Sequence, residues 1–273
     1  MLRTWLAALA VLAGIGLSYA ADLRSPLHGE KLWDQAQKEL AQGRAAEAKA
    51  EFEELLERYP NEPDLHLFRG MSLLRLHDPQ GAILAAGKAI ELNPSHVDAR
   101  TFLAWIELEV RGNADGAIKQ YLKIIELHPE LPAAYSNLAV AQKRKGNLDQ
   151  AIAALNKALE LKPDFAAALT TRGSVLAEQN RWPEARRDFE QALRLDPRDD
   201  GALYGLSQAL RETRDYAGAQ KTLSELISRS PNFVYWLEWG RIGLIRYWWI
   251  LLSGAIALSA KGRFRKARTA TNG

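Results

Sequence analysis

The chain contains no cysteine. That absence excludes disulfides, thiolate metal sites, cysteine nucleophiles and a lipidated cysteine anchor in one step. It fits any redox compartment and best suits an oxidising one, where stray thiols are a hazard. Histidine is scarce as well. His28, His66, His77, His96 and His128 show no metal-site spacing and no HExxH arrangement, so they read as turn or solvated residues. No segment has strand character for a phosphate-binding glycine loop to follow, and Gly14-Ile15-Gly16 lies inside the apolar N-terminal stretch. Glu51, Glu53, Glu54 and Glu57 form a charged helical face of the ordinary solvated kind. No catalytic residue, cofactor or metal is expected, and an enzyme is the least supported class.

Strong charge of either sign is also missing. The net charge of +3 is smaller than the contribution of Lys261, Arg263, Arg265, Lys266 and Arg268 alone, which leaves residues 1–260 at −2. A basic excess confined to a short tail behind an apolar run argues against nucleic acid as a partner. With 25% charged and 47% apolar residues in 273, the chain has the composition of a folded protein able to bury a core.

The first twenty residues, MLRTWLAALAVLAGIGLSYA, pair a cation at Arg3 with 13 residues from Trp5 to Leu17 free of charge. That length suits a signal-peptide core and is short for a span. Small residues at Ser18 and Ala20 place a cut before Ala21; the alternative is an uncleaved N-terminal anchor. Both predict an exported domain.

What is abundant is order. Pro60, Pro94, Pro129, Pro163, Pro197 and Pro231 stand at intervals of 34, 35, 34, 34 and 34, and their flanks repeat: LLERYPNEP, AIELNPSHV, IIELHPELP, ALELKPDFA, ALRLDPRDD and LISRSPNFV. A fixed period of this size signals a repeat architecture. Each unit reads as two helices. Between Pro132 and Phe165, Tyr135, Leu138 and Ala139 share one face. Gly146-Asn147 breaks that helix. Ala151, Leu155, Ala158 and Leu159 form a second apolar face, and Pro163 follows to stop it.

These units resemble the tetratricopeptide repeat family over residues 29–233. The family's small residue in the first helix is matched by Ala36, Gly70, Ala139, Gly173 and Ser207. Its small residue in the second helix is matched by Ala48, Ala82, Ala117, Ala151, Ala185 and Ala219. Phe52, Tyr121, Leu155, Phe189 and Leu223 supply the bulky residue that follows. Small residues let backbones approach and large ones fill the groove between them. Two departures stand out. Ala86 is small where bulk is usual. Trp105 takes the third unit's small site, with the extra residue of the 35-residue interval expected just before that helix. The resemblance implies an all-α, right-handed superhelical solenoid of six helix pairs, over 29–62, 63–96, 98–131, 132–165, 166–199 and 200–233.

It also implies that first helices line a concave groove. In the first three units that lining is Trp33, Leu67, Met71, Leu74, Phe102, Ile106 and Val110. In the last three it is Ser136, Val140, Lys143, Arg144, Thr170, Ser174, Tyr204, Gln208 and Arg211. One reading is a bipartite peptide groove, apolar and then polar and basic. The other is that the apolar residues pack on neighbouring helices. The family's clamp for a terminal carboxylate is matched only by Asn137; Ser136 and Val140 stand where Lys and Asn are needed, so chaperone tails are not the expected ligand.

The C-terminus, RYWWILLSGAIALSAKGRFRKAR, breaks the soluble pattern. Ile242 to Ala260 is 19 residues, about 28 Å as a helix, against roughly 30 Å of bilayer core. Arg246, Tyr247, Trp248 and Trp249 suit its edge. The expectation is a hydrophobic helix over 234–260, spanning a membrane at about 242–260, with a basic tail over 261–273. The alternative is a seventh helix capping the last unit, favoured for 234–241. The expected protein is an exported, membrane-tethered adaptor that binds a protein or peptide and assists assembly of a cell-envelope complex. It would sit in the bacterial inner membrane with its repeats in the periplasm, or be soluble there. The alternatives are a self-associating scaffold and an accessory subunit of an envelope enzyme.

Overall fold

The computed structural model describes residue 27 and residues 30–247, and these are helical throughout, with no strand among them. In order, the helices are α1 (Lys31–Ala41), α2 (Ala45–Arg58), α3 (Pro63–Arg75), α4 (Pro79–Leu92), α5 (Val97–Trp105), a π-helical turn (Ile106–Val110), α6 (Ala114–Leu127), α7 (Pro132–Lys145), α8 (Leu148–Leu161), α9 (Ala166–Glu178), α10 (Trp182–Leu195), α11 (Asp200–Glu212) and α12 (Tyr216–Arg229). Helix α13 covers residues 233–247. The chain divides into two compact units, Met1–Lys157 and Ala158–Gly273. The expected N-terminal signal or anchor at 1–20, and His28, lie outside the described residues, as do residues 248–273.

Local chemistry explains why helices start and stop where they do. Pro63, Pro79 and Pro132 open theirs, where a missing N–H costs nothing. Asp78, Asn113, Asp199 and Asp215 cap the following helices, each accepting from the backbone N–H three residues on at 2.8–3.1 Å. The even-numbered helices α2 to α12 each end two residues before a proline of the 34-residue series. The turn inside each pair is marked by a residue of positive φ: Gly43, His77, Gly112, Gly146, Asn180 and Arg214, all between 60° and 87°. At Gly146 the helix closes through Gly146 N–H to Lys143 O and Asn147 N–H to Gln142 O, both 2.9 Å. Only three of the six are glycine, so the turn is dictated by packing as much as by residue type.

From α1 to α7 each helix packs on its sequence neighbours, as expected of stacked repeats. Leu27 is fully buried in the same core as Trp33 and Phe52. The Trp33 ring meets those of Phe52 and Phe68 edge-on, with centroids 5.7 and 4.9 Å apart. A Cβ on Gly70 would lie 3.3 Å from the Phe102 ring and 3.2 Å from Ala85 Cβ. This accounts for Ala86. The ring that covers the small residue of this pair comes from Phe102 of the following pair.

The third pair corrects the expected register. The small residue after Gly70 is Ala104, 34 positions on and fully buried, not Trp105. The extra residue of the 35-residue interval is absorbed after Trp105 and not before the helix. There the chain widens into a π-turn, in which Arg111 N–H reaches Ile106 O at 3.1 Å. Asn113 then turns the chain by donating to Glu107 through both its backbone (2.7 Å) and its side chain (2.8 Å).

In the C-terminal unit Phe189 is the pivot. Its ring lies 2.8 Å from the position of a Cβ on Gly173 and 2.4 Å from one on Gly205. Both helices therefore close on the ring only because neither has a side chain there. Beside it, Arg172 makes two bonds of 2.7 Å to the buried carboxylate of Asp188, fastening α9 to α10. Those bonds raise the Arg172 pKa above its ordinary value, against the effect of burial.

Helix α13 docks on the last pair. Ile242 is 1% exposed and joins Leu210, Ala219 and Leu223 in one core, with Tyr204 and Tyr235 packed against it. Trp239 Nε1 donates to Ser224 Oγ at 2.9 Å, and Arg246 donates to Gln220 at 3.1 Å. Residues 242–247 of the expected 242–260 span are thus part of a capping helix, and the rest of that span lies outside the described residues. Among the described residues no helix is long and apolar enough to cross a membrane.

Gly205→Ala should destabilise the fold by about 1–3 kcal/mol, the usual cost of overpacking, and by more than Gly173→Ala. Urea denaturation of the two variants checks the order, and equal midpoints with the parent chain contradict the role given to Phe189.

Candidate functional site

The apolar half of the expected groove belongs to the interior. Trp33, Leu67, Met71, Leu74, Phe102 and Ile106 are each 7% exposed or less and all belong to one core cluster. The physical reason is economy. Helices of 9 to 13 residues must bury large side chains on both flanks to hold their neighbours, which leaves little apolar surface to spare. For Phe102 and Ile106 the register adds a second reason. With the extra residue placed after Trp105, the third-pair position equivalent to Met71 is Trp105, 34 residues on, and Phe102 and Ile106 turn inward. Counting from Gly70 to Ala104 was the signal in the sequence that identifies Trp105.

The N-terminal unit does keep an accessible first-helix face. Trp105 is half-buried and packs one side against the core. Val110 is 43% exposed. Val140 and Lys143 are half-buried and Arg144 is exposed on α7, while Ser136 is buried. Arg144 bridges from α7 to Glu109 on the π-turn, with 3.0 Å to each carboxylate oxygen. The π-turn therefore brings a carboxylate to a cation of α7, with Val110 exposed on the turn and Trp105 just before it. At the opposite end of α5, His96 Nε2 lies 3.0 Å from Asp64.

The C-terminal unit treats its expected site residues differently. Thr170 donates to Asp199 at 2.6 Å, and Ser174 and Gln208 are half-buried. Tyr204 stacks on Tyr235 of α13 at 5.2 Å, and Arg211 bonds Glu238 of α13 at 2.8 Å and Glu212 at 2.7 Å. These two side chains hold the capping helix in place and are not open to a ligand.

Three of the described histidines serve structure. His66 Nε2 contacts the Pro60 carbonyl at 2.9 Å, His96 Nδ1 accepts from Ala99 N–H at 3.4 Å, and His77 sits in a left-handed turn. Among the described residues no group of three His, Asp or Glu is placed to hold a metal. A shallow depression on the second-helix side, lined by Arg100, Asp115, Lys119, Gln120, Lys123 and Glu126, has mixed charge. There Arg100 is already bonded to the Pro94 carbonyl and to Gln120. What the accessible first-helix face offers is recognition: an aromatic edge, aliphatic patches and paired charges.

Comparison with known proteins agrees with this architecture. Two family models described as tetratricopeptide repeat match, one over residues 34–95, 69–132 and 170–232 and one over 132–165. No curated protein matches. Among solved structures, PilF of Pseudomonas aeruginosa is similar at 17% identity and a TM-score of 0.65, covering 76% of this chain and 94% of its own. PilW, titled a widely conserved type IV pilus biogenesis factor, is similar at 15% identity and 0.66, covering 74% and 93%. MamA from Desulfovibrio magneticus RS-1 is similar at 22% identity and 0.53, covering 62% and 95%. At these identities the likeness is one of fold.

Phe102→Glu should unfold the N-terminal unit rather than trim a binding surface. Loss of a buried phenylalanine costs about 3–5 kcal/mol, and an unpaired buried charge adds to that. Far-ultraviolet circular dichroism and urea titration check it; a variant as stable as the parent restores Phe102 to the surface.

Proposed function

From the premise that this chain belongs to the tetratricopeptide repeat family, we propose that it is an exported, membrane-tethered adaptor, not an enzyme, that holds a protein partner and assists assembly of a cell-envelope complex. We read α1 to α12 as six repeats and α13 as their cap. The observation that carries the proposal is the accessible first-helix face of the N-terminal unit. Trp105 is left half-buried there, Val110 and Arg144 are exposed and Val140 and Lys143 half-buried, although six of the apolar residues expected to line the groove are buried. Aromatic and arginine side chains with partial exposure are the usual anchors of protein recognition. A segment of the partner with an apolar anchor and an acidic flank fits this chemistry.

Placement at the inner membrane, with the repeats on the periplasmic side, rests on sequence: the charge-then-apolar start with small residues before Ala21 directs export, and the apolar run followed by five cations at the other end supplies the membrane contact. The fold likeness to PilF and PilW supports the envelope reading, since PilW is titled a pilus biogenesis factor.

The test is capture by the full chain from native membranes, compared with the double variant Lys143→Glu, Arg144→Glu. Arg144 is exposed and Lys143 half-buried, and surface ion pairs contribute at most about 1 kcal/mol, so the variant should keep its helicity and most of its thermal midpoint. It should lose most of the captured partner. Unchanged capture by a folded variant removes this face as the binding site.

A further inference from the structure

The outer side of α13 is the one place in the described chain where a helix turns an uninterrupted apolar stripe to solvent. Phe233 is 74% exposed, Trp236 54%, Leu237 56%, Leu244 63% and Tyr247 43%. At helical spacing these five residues and Gly240 share one face, opposite the face that docks through Tyr235, Ile242 and Arg246. No charge falls on the stripe. Glu238, the one acidic residue of α13, is turned away to Arg211 and Arg241. A terminal repeat helix ordinarily needs a polar outer face to keep a solenoid soluble, so this stripe calls for a cover.

We propose that α13 is an interfacial helix: it stays docked on the last helix pair and lays its outer stripe into the headgroup–acyl boundary of an anionic bilayer. The inference rests on the membrane-tethered reading and specifies how the tether works. Three observations favour lipid over a second copy. The stripe carries Trp236 and Tyr247, whose rings suit a wet apolar boundary. It is followed in sequence by Trp248 to Ala260, thirteen residues without a charge, and then by five cations within 261–268. Those cations complement anionic headgroups and would repel one another between two copies. The length is also telling. With Ile242 committed to the core, only these thirteen residues remain, well short of the roughly 20 needed to cross a bilayer. In-plane attachment needs no such length.

The absence of cysteine makes the test clean. The full chain carries Leu244→Cys on the stripe or, as an aqueous reference, Ser228→Cys on the exposed side of α12; each is labelled with a polarity-sensitive fluorophore. Vesicles of phosphatidylcholine with phosphatidylglycerol, or of phosphatidylcholine alone, are added. The expected result is flotation with the anionic vesicles, a blue shift at position 244, several-fold protection from an aqueous quencher there, and no change at position 228. Flotation with position 244 still open to the quencher overturns the interfacial helix and leaves the tether standing. Failure to float with either vesicle overturns the tether and the inference together. A blue shift without vesicles that grows with protein concentration assigns the stripe to a second copy and overturns the inference.

Discussion

Everything in this fold depends on helices coming close enough for a ring on one to lie against bare backbone on another. Phe189 between Gly173 and Gly205, with would-be Cβ positions at 2.8 and 2.4 Å, is the tightest instance. Phe102 over Gly70 is the same contact made by a residue of the neighbouring pair. Dispersion is short-ranged, so a helix held even an ångström further away forfeits much of it. The small residue at each repeat, every 34 or 35 positions, is thus the condition for burying the large ones.

That condition also limits what the protein can offer a ligand. Side chains that grip the next helix are consumed by the core, and a groove must be assembled from what is left. In the N-terminal unit the remainder is Trp105 with Val110, Val140 and the paired charges of Glu109 and Arg144. The π-turn matters here. One inserted residue widens the helix after Trp105 and brings Glu109 to Arg144, so an irregularity of the repeat coincides with the most varied chemistry on its face.

Much of the architecture was legible in the sequence because small residues, bulky residues and prolines recur together, and each has a direct steric meaning. Helix pairing, the proline stops and the turn at Gly146 followed from that. Less legible was the left-handed turn where His77, Asn180 and Arg214 replace glycine, because there the neighbouring helices impose the backbone. The site was read less well. A first-helix residue at the right spacing looks the same in sequence whether it lines a groove or supports a neighbour, and a one-residue shift in the third pair exchanged Ile106 for Trp105. Tyr204 and Arg211 had the character of binding residues, and they do bind: their ligand is α13 of the same chain.

The apolar residues named for a groove on the first helices are interior, which leaves the mixed face around Trp105 as the proposed binding surface and the stripe of α13 as the proposed membrane contact. Met71 reports on this directly, since it is one of only two methionines, the other being Met1, and is 7% exposed. Peroxide oxidation of the folded chain, followed by mass spectrometry of the peptide containing Met71, gives its accessibility. The account predicts oxidation far slower than for a free methionine, accelerating only as denaturant unfolds the repeats. Rapid oxidation of Met71 in the fully folded chain would contradict it and return the apolar residues to an open groove.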